Sequence, residues 1–239
     1  MTPPDILTVL GHDLKAPLNA VVSYLEIMQN RIMGESLDPY MPILEKSMVR
    51  LHQMRQLITD VVAWSRTRDP STPRNPTSRD ISEIARLILE RYWKEALARN
   101  ITLSADIEDD IIMDTGAGEI DLLIGQLIDN AVKYNREDGQ VCLTLKKAGD
   151  RIAIEVADTG IGMTGEEQSR LFHEFVRIKN EKTRDIWGTG LGLAIVKQIV
   201  GLYGGTVSVR SEPDRGTTFS ITLPLRWSAS QPVSEDIVL

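Results

Sequence analysis

Apolar residues recur through the first part of the chain at Leu7, Leu14, Leu18, Val21, Leu25 and Met28, with Gly11 filling the one gap. The steps alternate four and three, the seam of a coiled coil or helix bundle. This pattern predicts a helix from Asp5, which follows a proline pair and suits a helix N-terminus by its charge, to about Met33, where Gly34 stops it. Pro17 removes one backbone donor and is expected to bend that helix. A second helix is expected after Asp38-Pro39, with Leu44, Met48, Leu51, Met54, Ile58, Val61 and Val62 at helical spacing. A two-helix hairpin buries little by itself. Two hairpins pairing as a four-helix bundle would cover the stripe, so a homodimer is expected; the alternative is that the stripe packs on the rest of the same chain.

The pattern changes beyond Asp69-Pro70-Ser71-Thr72-Pro73-Arg74-Asn75-Pro76-Thr77-Ser78, a proline-rich polar linker. The expected organisation is a hairpin over 1–69, a linker over 70–78, a second domain over 79–226 and a polar, frayed tail over 227–239. In the second domain Asp80 to about Arg99 and Glu119 to Tyr134 read as helices, and a further helical stretch ends at Val200 to Tyr203. Ile101–Ile107, Ile111–Met113, Gln140–Lys147 and Arg151–Ala157 read as strands. Thr206–Ser211 and Thr217–Leu223 read as a hairpin turning at Asp214-Arg215-Gly216. Mixed strands and helices with antiparallel hairpins indicate an α+β sandwich.

Composition narrows the functional classes. The 239 residues are 42% hydrophobic and 26% charged, as in a globular protein. A net charge of -7 argues against general affinity for nucleic acid or anionic membrane. The single cysteine, Cys142, lies in an apolar run, allows no internal disulfide framework and suits a reducing compartment. No apolar run reaches the length of a membrane span, and no signal-peptide pattern opens the chain. Because the first helix begins almost at once, the sequence reads as a fragment whose upstream sensory part is missing.

Four clusters carry candidate chemistry. His12 and Asp13 fall off the apolar seam and are expected to face water or a partner; imidazole is a ready nucleophile and proton carrier near neutral pH. Asn130, Lys133 and Tyr134 stand at i, i+3 and i+4, so an amide, a cation and an aromatic share one helix face. Asp158-Thr159-Gly160-Ile161-Gly162 follows a predicted strand; its carboxylate can accept a hydrogen bond from an exocyclic amine, and its glycines let a ligand approach the backbone. Gly188-Thr189-Gly190-Leu191-Gly192 leads into a helix whose bared amides and dipole favour phosphate, without being a dinucleotide fingerprint or a P-loop. Each of these is weak alone, and each also fits an ordinary surface, turn or loop.

In this order they resemble the catalytic core of a two-component sensor histidine kinase. His12-Asp13-Leu14-Lys15-Ala16-Pro17-Leu18 is similar to the phosphoacceptor box, Asn130–Tyr134 to the asparagine box, and Asp158–Gly162 and Gly188–Gly192 to the two glycine boxes. Leu171–Arg177 is similar to the phenylalanine box and Gly216-Thr217-Thr218-Phe219 to the closing strand, so the resemblance runs from about Ile6 to Pro224. It implies an ATP-binding α/β sandwich of the gyrase and Hsp90 type following a dimeric four-helix bundle. It implies ATP-dependent phosphorylation of His12 with Asp13 as proton acceptor, then transfer to an aspartate of a response-regulator receiver domain. Nucleotide contacts would come from Asn130, Lys133, Tyr134, Asp158, Gly160, Gly162, Arg177, Gly188, Gly190, Gly192 and Thr218, and Mg2+ contacts from Asn130 and Gln126. The polar segment Arg177–Arg184 would be a lid over ATP, with Lys182 a further phosphate contact. His52 and His173 lack the acceptor context.

Two positions depart from the family pattern. Ala16 stands where many relatives carry Thr or Asn, so phosphatase activity toward the regulator is expected to be weak. Gln126 stands where an asparagine is frequent, so altered Mg2+ geometry is expected. A nucleotide-sensing pseudokinase and a metabolic ATPase or chaperone of the same superfamily remain as other readings; phosphate on His12 separates both from the kinase. The fragment is expected in the cytoplasm. Whether the longer protein is membrane-anchored, which regulator it serves, and whether phosphorylation runs within or across the dimer stay open.

Overall fold

The computed structural model describes residues 6–68, 74–227 and 237–238. The expected helix start at Asp5, the first part of the linker (70–73) and most of the tail (228–236 and 239) lie outside these residues. The chain divides into two compact units, Met1–Val62 with Trp187–Thr189, and Ala63–Ile186 with Gly190–Leu239.

The first unit is the expected hairpin. Helix α1 (Ile6–Gln29) runs unbroken through Pro17, which leaves the carbonyl of Asp13 without its usual i+4 donor. α1 ends earlier than Met33. The amide of Ile32 bonds the carbonyl of Ile27, that of Arg31 bonds Met28, and Arg31 takes φ 51, a left-handed helix stop with arginine in the usual glycine place. The connection is pinned by buried Tyr40, whose hydroxyl accepts from the Met33 amide at 3.0 Å and donates to the Gly34 carbonyl at 2.8 Å. Helix α2 (Met41–Arg68) follows a short 3-10 turn at Asp38–Tyr40. Within the hairpin Val21 and Leu57 are buried and Leu14, Tyr24, Met28 and Met54 are half-buried. Leu18, Val22 and Leu25 on α1, and Met48, Leu51, Ile58 and Val62 on α2, remain exposed. The seam is therefore split between a face used inside the hairpin and one left open.

The second unit begins inside α2, earlier than the proline-rich stretch taken as the boundary. Trp64 packs edge-on to Phe175 with ring centroids 6.4 Å apart, and Thr67 donates to the Gln198 side chain. The linker also ends sooner than expected, because strand β1 (Thr77–Asp80) pairs antiparallel with β3 (Ile112–Thr115). Helix α3 (Ile81–Ala98) starts on the Asp80 side chain, which accepts from the amides of Ser82 and Glu83. Strands β2 (Thr102–Ile107), β4 (Gln140–Ala148), β5 (Arg151–Asp158), β6 (Thr206–Glu212), β7 (Gly216–Pro224) and β8 (Ile237–Val238) form a second sheet in the order β2-β4-β5-β7-β6-β8. β2 and β8 join their neighbours in parallel and the other pairs are antiparallel. Ile237–Val238 thus lies beside β6, where a frayed end was expected.

Alternation decides the layers. Val141, Leu143 and Leu145 of β4, Ile152, Ile154 and Val156 of β5, and Phe219, Ile221 and Leu223 of β7 are buried on one sheet face. Against that face pack α3, α4 (Glu119–Lys133) and α6 (Gly192–Leu202), with Ile120, Leu123, Ile124, Leu127 and Ile128 fully buried. The opposite face carries Cys142, Thr144, Ala157, Thr218 and Ser220 half-buried, which makes the unit a two-layer α+β sandwich. A short helix, α5 (Gly165–Gln168), starts on a capping box between Thr164 and Glu167.

Candidate nucleotide site and phosphoacceptor helix

The site in the second unit is built around the C-terminal end of α4. Asn130, Lys133 and Tyr134 leave this end within one turn, and each is half-buried. The Asn130 carboxamide has no protein partner among the described residues. Lys133 pairs with Asp129 one turn earlier. Burial raises the pKa of Tyr134, against the opposing pull of the Lys133 and Arg177 cations, so Arg177 lies within electrostatic reach of this helix end.

The end of β5 is locked onto the same place. Gly160 meets α4 so tightly that an added Cβ would lie 2.3 Å from the Tyr134 carbonyl oxygen and 2.9 Å from Asn135 Cα. The Ile161 amide donates to that carbonyl at 3.0 Å. Asp158 Oδ1 accepts from the Gly160 amide at 2.8 Å and from the Thr217 amide at 3.2 Å. Neither bond uses Oδ2. Burial pushes the Asp158 carboxyl up to about 6, against the two amides that favour its charged form. Gly162, at φ 60, continues the turn in a conformation that penalises any other L-residue, and a Cβ there would strike the Glu212 carbonyl.

The second glycine box divides. Gly192 opens α6, where Leu191 offers no side-chain cap, so the first amides of this helix are not capped by a side chain at that position. An added Cβ on Gly192 would lie 2.2 Å from Gln126 Oε1, which places buried Gln126 beneath this helix start, one turn before Asn130. Gly190, at φ 72, leaves no room for a Cβ against Phe175 and thus ties the box to the phenylalanine box. Gly188 belongs to the first unit, where its neighbour Thr189 donates to Asp60 at 2.6 Å.

Other expected residues are placed as follows. Phe172 enters the core and meets Phe219 edge-to-face at 6.4 Å. Arg177 donates to the Ile186 carbonyl at 2.7 Å. The polar segment after it is folded, with buried Thr183 donating to the Ile178 carbonyl at 2.6 Å, Asn180 to Glu167 at 3.2 Å, and Lys182 pairing with Asp214. Thr218 is not brought to the site. Strand alternation sets it with Ala157 on the open face of the sheet, while its neighbour Thr217 supplies the amide on Asp158. Sequence reasoning also missed Arg99, whose guanidinium donates to the carbonyls of Val132, Lys133 and Asn135 at the end of α4. Only a positive charge after an amphipathic helix could have hinted at it.

In the first unit Asp13, Lys15 and Ala16 are exposed on α1, as the seam predicts for Asp13. The side chain of His12 lies outside what is described. His52 on α2 approaches the Met48 carbonyl with Nδ1 at 2.7 Å.

Residues 116–226 match the family described as histidine kinase-, DNA gyrase B-, and HSP90-like ATPase. Over 233 residues the chain is 28% identical to the sensor histidine kinase RcsC of Salmonella typhi, covering 97% of this chain and 24% of that protein. Along nearly its whole length the chain is similar to sensor histidine kinases. Full-length ShkA, solved in complex with AMPPNP, superposes with TM-score 0.69 at 26% identity, covering 96% of this chain and 47% of that one. ThkA, solved in complex with the response regulator TrrA, shares the fold at TM-score 0.69 and 15% identity over 95% of this chain and 63% of that one. The family's ATP-binding domain thus corresponds to the sandwich unit. Among the described residues no helix is long and apolar enough to cross a membrane.

Proposed function

We propose that the chain phosphorylates its own His12 from ATP and passes the phosphoryl group to an aspartate of a response-regulator receiver domain. One observation carries this reading: the Gly160–Tyr134 contact gathers Asp158, Tyr134, Lys133 and Asn130 at one helix end, beside an α6 start not capped by the Leu191 side chain. Asp158 offers an acceptor for the exocyclic amine of adenine, Tyr134 an aromatic flank, and the α6 amides with Gly190 and Gly192 a cradle for phosphate. Lys133 would exchange Asp129 for a phosphate oxygen, and Arg177, whose charge acts on Tyr134, would join it.

The donor set fits Mg2+ held largely by the nucleotide. Among the described residues no three carboxylate, imidazole or thiol groups cluster, whereas this ion takes few protein ligands when phosphates are present. Asn130, whose carboxamide has no protein partner among the described residues, would contact it, and Gln126 lies one turn away. Bound there, the ion offsets charge on the transferring group.

The reaction forms a bond between one ring nitrogen of His12 and the γ-phosphorus, breaks the bond to the β-phosphate oxygen and releases ADP. Asp13 holds the other ring nitrogen in the reactive tautomer and takes its proton. The open stripe formed by Leu18, Val22 and Leu25 with Met48, Leu51, Ile58 and Val62 supports pairing of two hairpins into a four-helix bundle. A receiver domain would dock on the flank of that bundle, near Leu18 to Met28 and α2. ATP places the chemistry in the cytoplasm, whatever anchors the longer protein. Ala16 cannot hydrogen-bond a water, so dephosphorylation of the regulator would be weak.

Incubation with γ-labelled ATP and Mg2+ tests the reading. Label stable in alkali and lost in acid is the expected result; ATP bound without such label would leave a nucleotide-binding module instead.

A further inference from the structure

We propose that Arg99 is a positioning residue of the nucleotide site, fixing where α4 ends and so where Lys133 and Tyr134 stand; this rests on the ATP-binding reading of that site. The last carbonyls of a helix lack intrahelical donors. At the end of α4 the Tyr134 carbonyl is taken by the Ile161 amide, and Arg99 takes those of Val132, Lys133 and Asn135 with a single guanidinium. These three carbonyls bracket Lys133 and Tyr134, two of the side chains the site uses. Arg99 itself is held from the far side, as the C-cap of α3, with its amide on the carbonyls of Ala96 and Leu97. The segment has little other freedom. Buried Asn135 donates to the Gln140 carbonyl at 3.0 Å and accepts from the Arg136 amide, and Gly160 presses on Tyr134 from the β5 side. Arg99 therefore joins the end of α3, at the rear of the sandwich, to the end of α4 that carries Lys133 and Tyr134. Its planar fork matches three divergent acceptors, and its charge complements the negative end of the helix dipole. Lysine can satisfy one of those acceptors at a time.

Calorimetric titration of the full chain with ATP and Mg2+ separates this role from a merely structural one. A structural cap changes the fraction of binding-competent protein, which appears as stoichiometry. A positioning residue changes Kd in the protein that still binds. Well below the melting temperature, Arg99→Met should weaken ATP about tenfold at unchanged stoichiometry. Arg99→Lys, which keeps the charge, should lie between it and the native chain and serves if Arg99→Met does not fold. Reduced stoichiometry with a native Kd in both variants would overturn the proposal. Absence of ATP binding by the native chain would instead overturn the reading on which it rests.

Discussion

The Cα of Gly160 lies against the carbonyl oxygen of Tyr134, so close that an added Cβ would come within 2.3 Å of it. The atom it would strike is backbone, which cannot swing aside as a flexible side chain would. Gly160→Ala must therefore separate the end of α4 from the turn after β5. Overpacking of this kind typically costs about 1–3 kcal/mol. Denaturant titration should show a loss in that range, and calorimetry a fall of at least about tenfold in ATP affinity. Native affinity in this variant would mean that the contact does not organise the site.

Asp158 gives the site a pH signature. Its folded carboxyl sits at about 6 against an ordinary value of 3.8, because burial penalises the charged form. The folded chain therefore binds this proton more tightly than the unfolded chain. The resulting stability is fully present below about pH 4, is lost as pH rises to about 6, and is constant above that. The full span is worth up to about 3 kcal/mol. The stability difference between the native chain and Asp158→Asn, read from urea unfolding at pH 4 and pH 7, should shift by that order in favour of the native chain at pH 4. ATP affinity should move the opposite way, tightening as pH rises through 6, since the ionised carboxylate is the stronger acceptor. Parallel pH curves for the two proteins would contradict both statements.

Much of this architecture was legible in the sequence. The four-three seam and the 3.6-residue period of α3 and α4 marked helices, and strict alternation marked β4, β5 and β7. What escaped had no local signal. β1 is the polar run Thr77-Ser78-Arg79-Asp80 and becomes a strand only by pairing with β3. α1 stops at a left-handed Arg31, where the sequence offered Gly34. Thr217 and Thr218 are indistinguishable as a pair of threonines, and strand register alone decides which amide reaches Asp158. Arg99 acts on carbonyls more than thirty residues away, a contact the packing of α3 on α4 creates. The site's chemistry was read from motif order, while the reason the motifs meet is the close approach of Gly160 to the backbone of Tyr134 and of Gly192 to the Gln126 side chain.

Ala16 makes the reverse reaction a test of the first helix. It is exposed on α1, one turn after His12 and beside the exposed Asp13. Ala16→Thr adds a hydroxyl able to hold a water, and should speed loss of phosphate from a cognate phosphorylated receiver domain by about tenfold, with autophosphorylation little changed. Fast dephosphorylation by the native chain in the presence of ADP would contradict the assignment.

The most direct measurement concerns His12. With His12→Gln, binding of ATP and Mg2+ should match the native chain in Kd, because the residues proposed to hold the nucleotide, Gly188 excepted, lie in the other unit. Incorporation of acid-labile label from γ-labelled ATP should fall to background. Native ATP affinity with no label is the predicted result, and acid-labile label surviving in this variant would contradict the assignment of His12 as the phosphoacceptor.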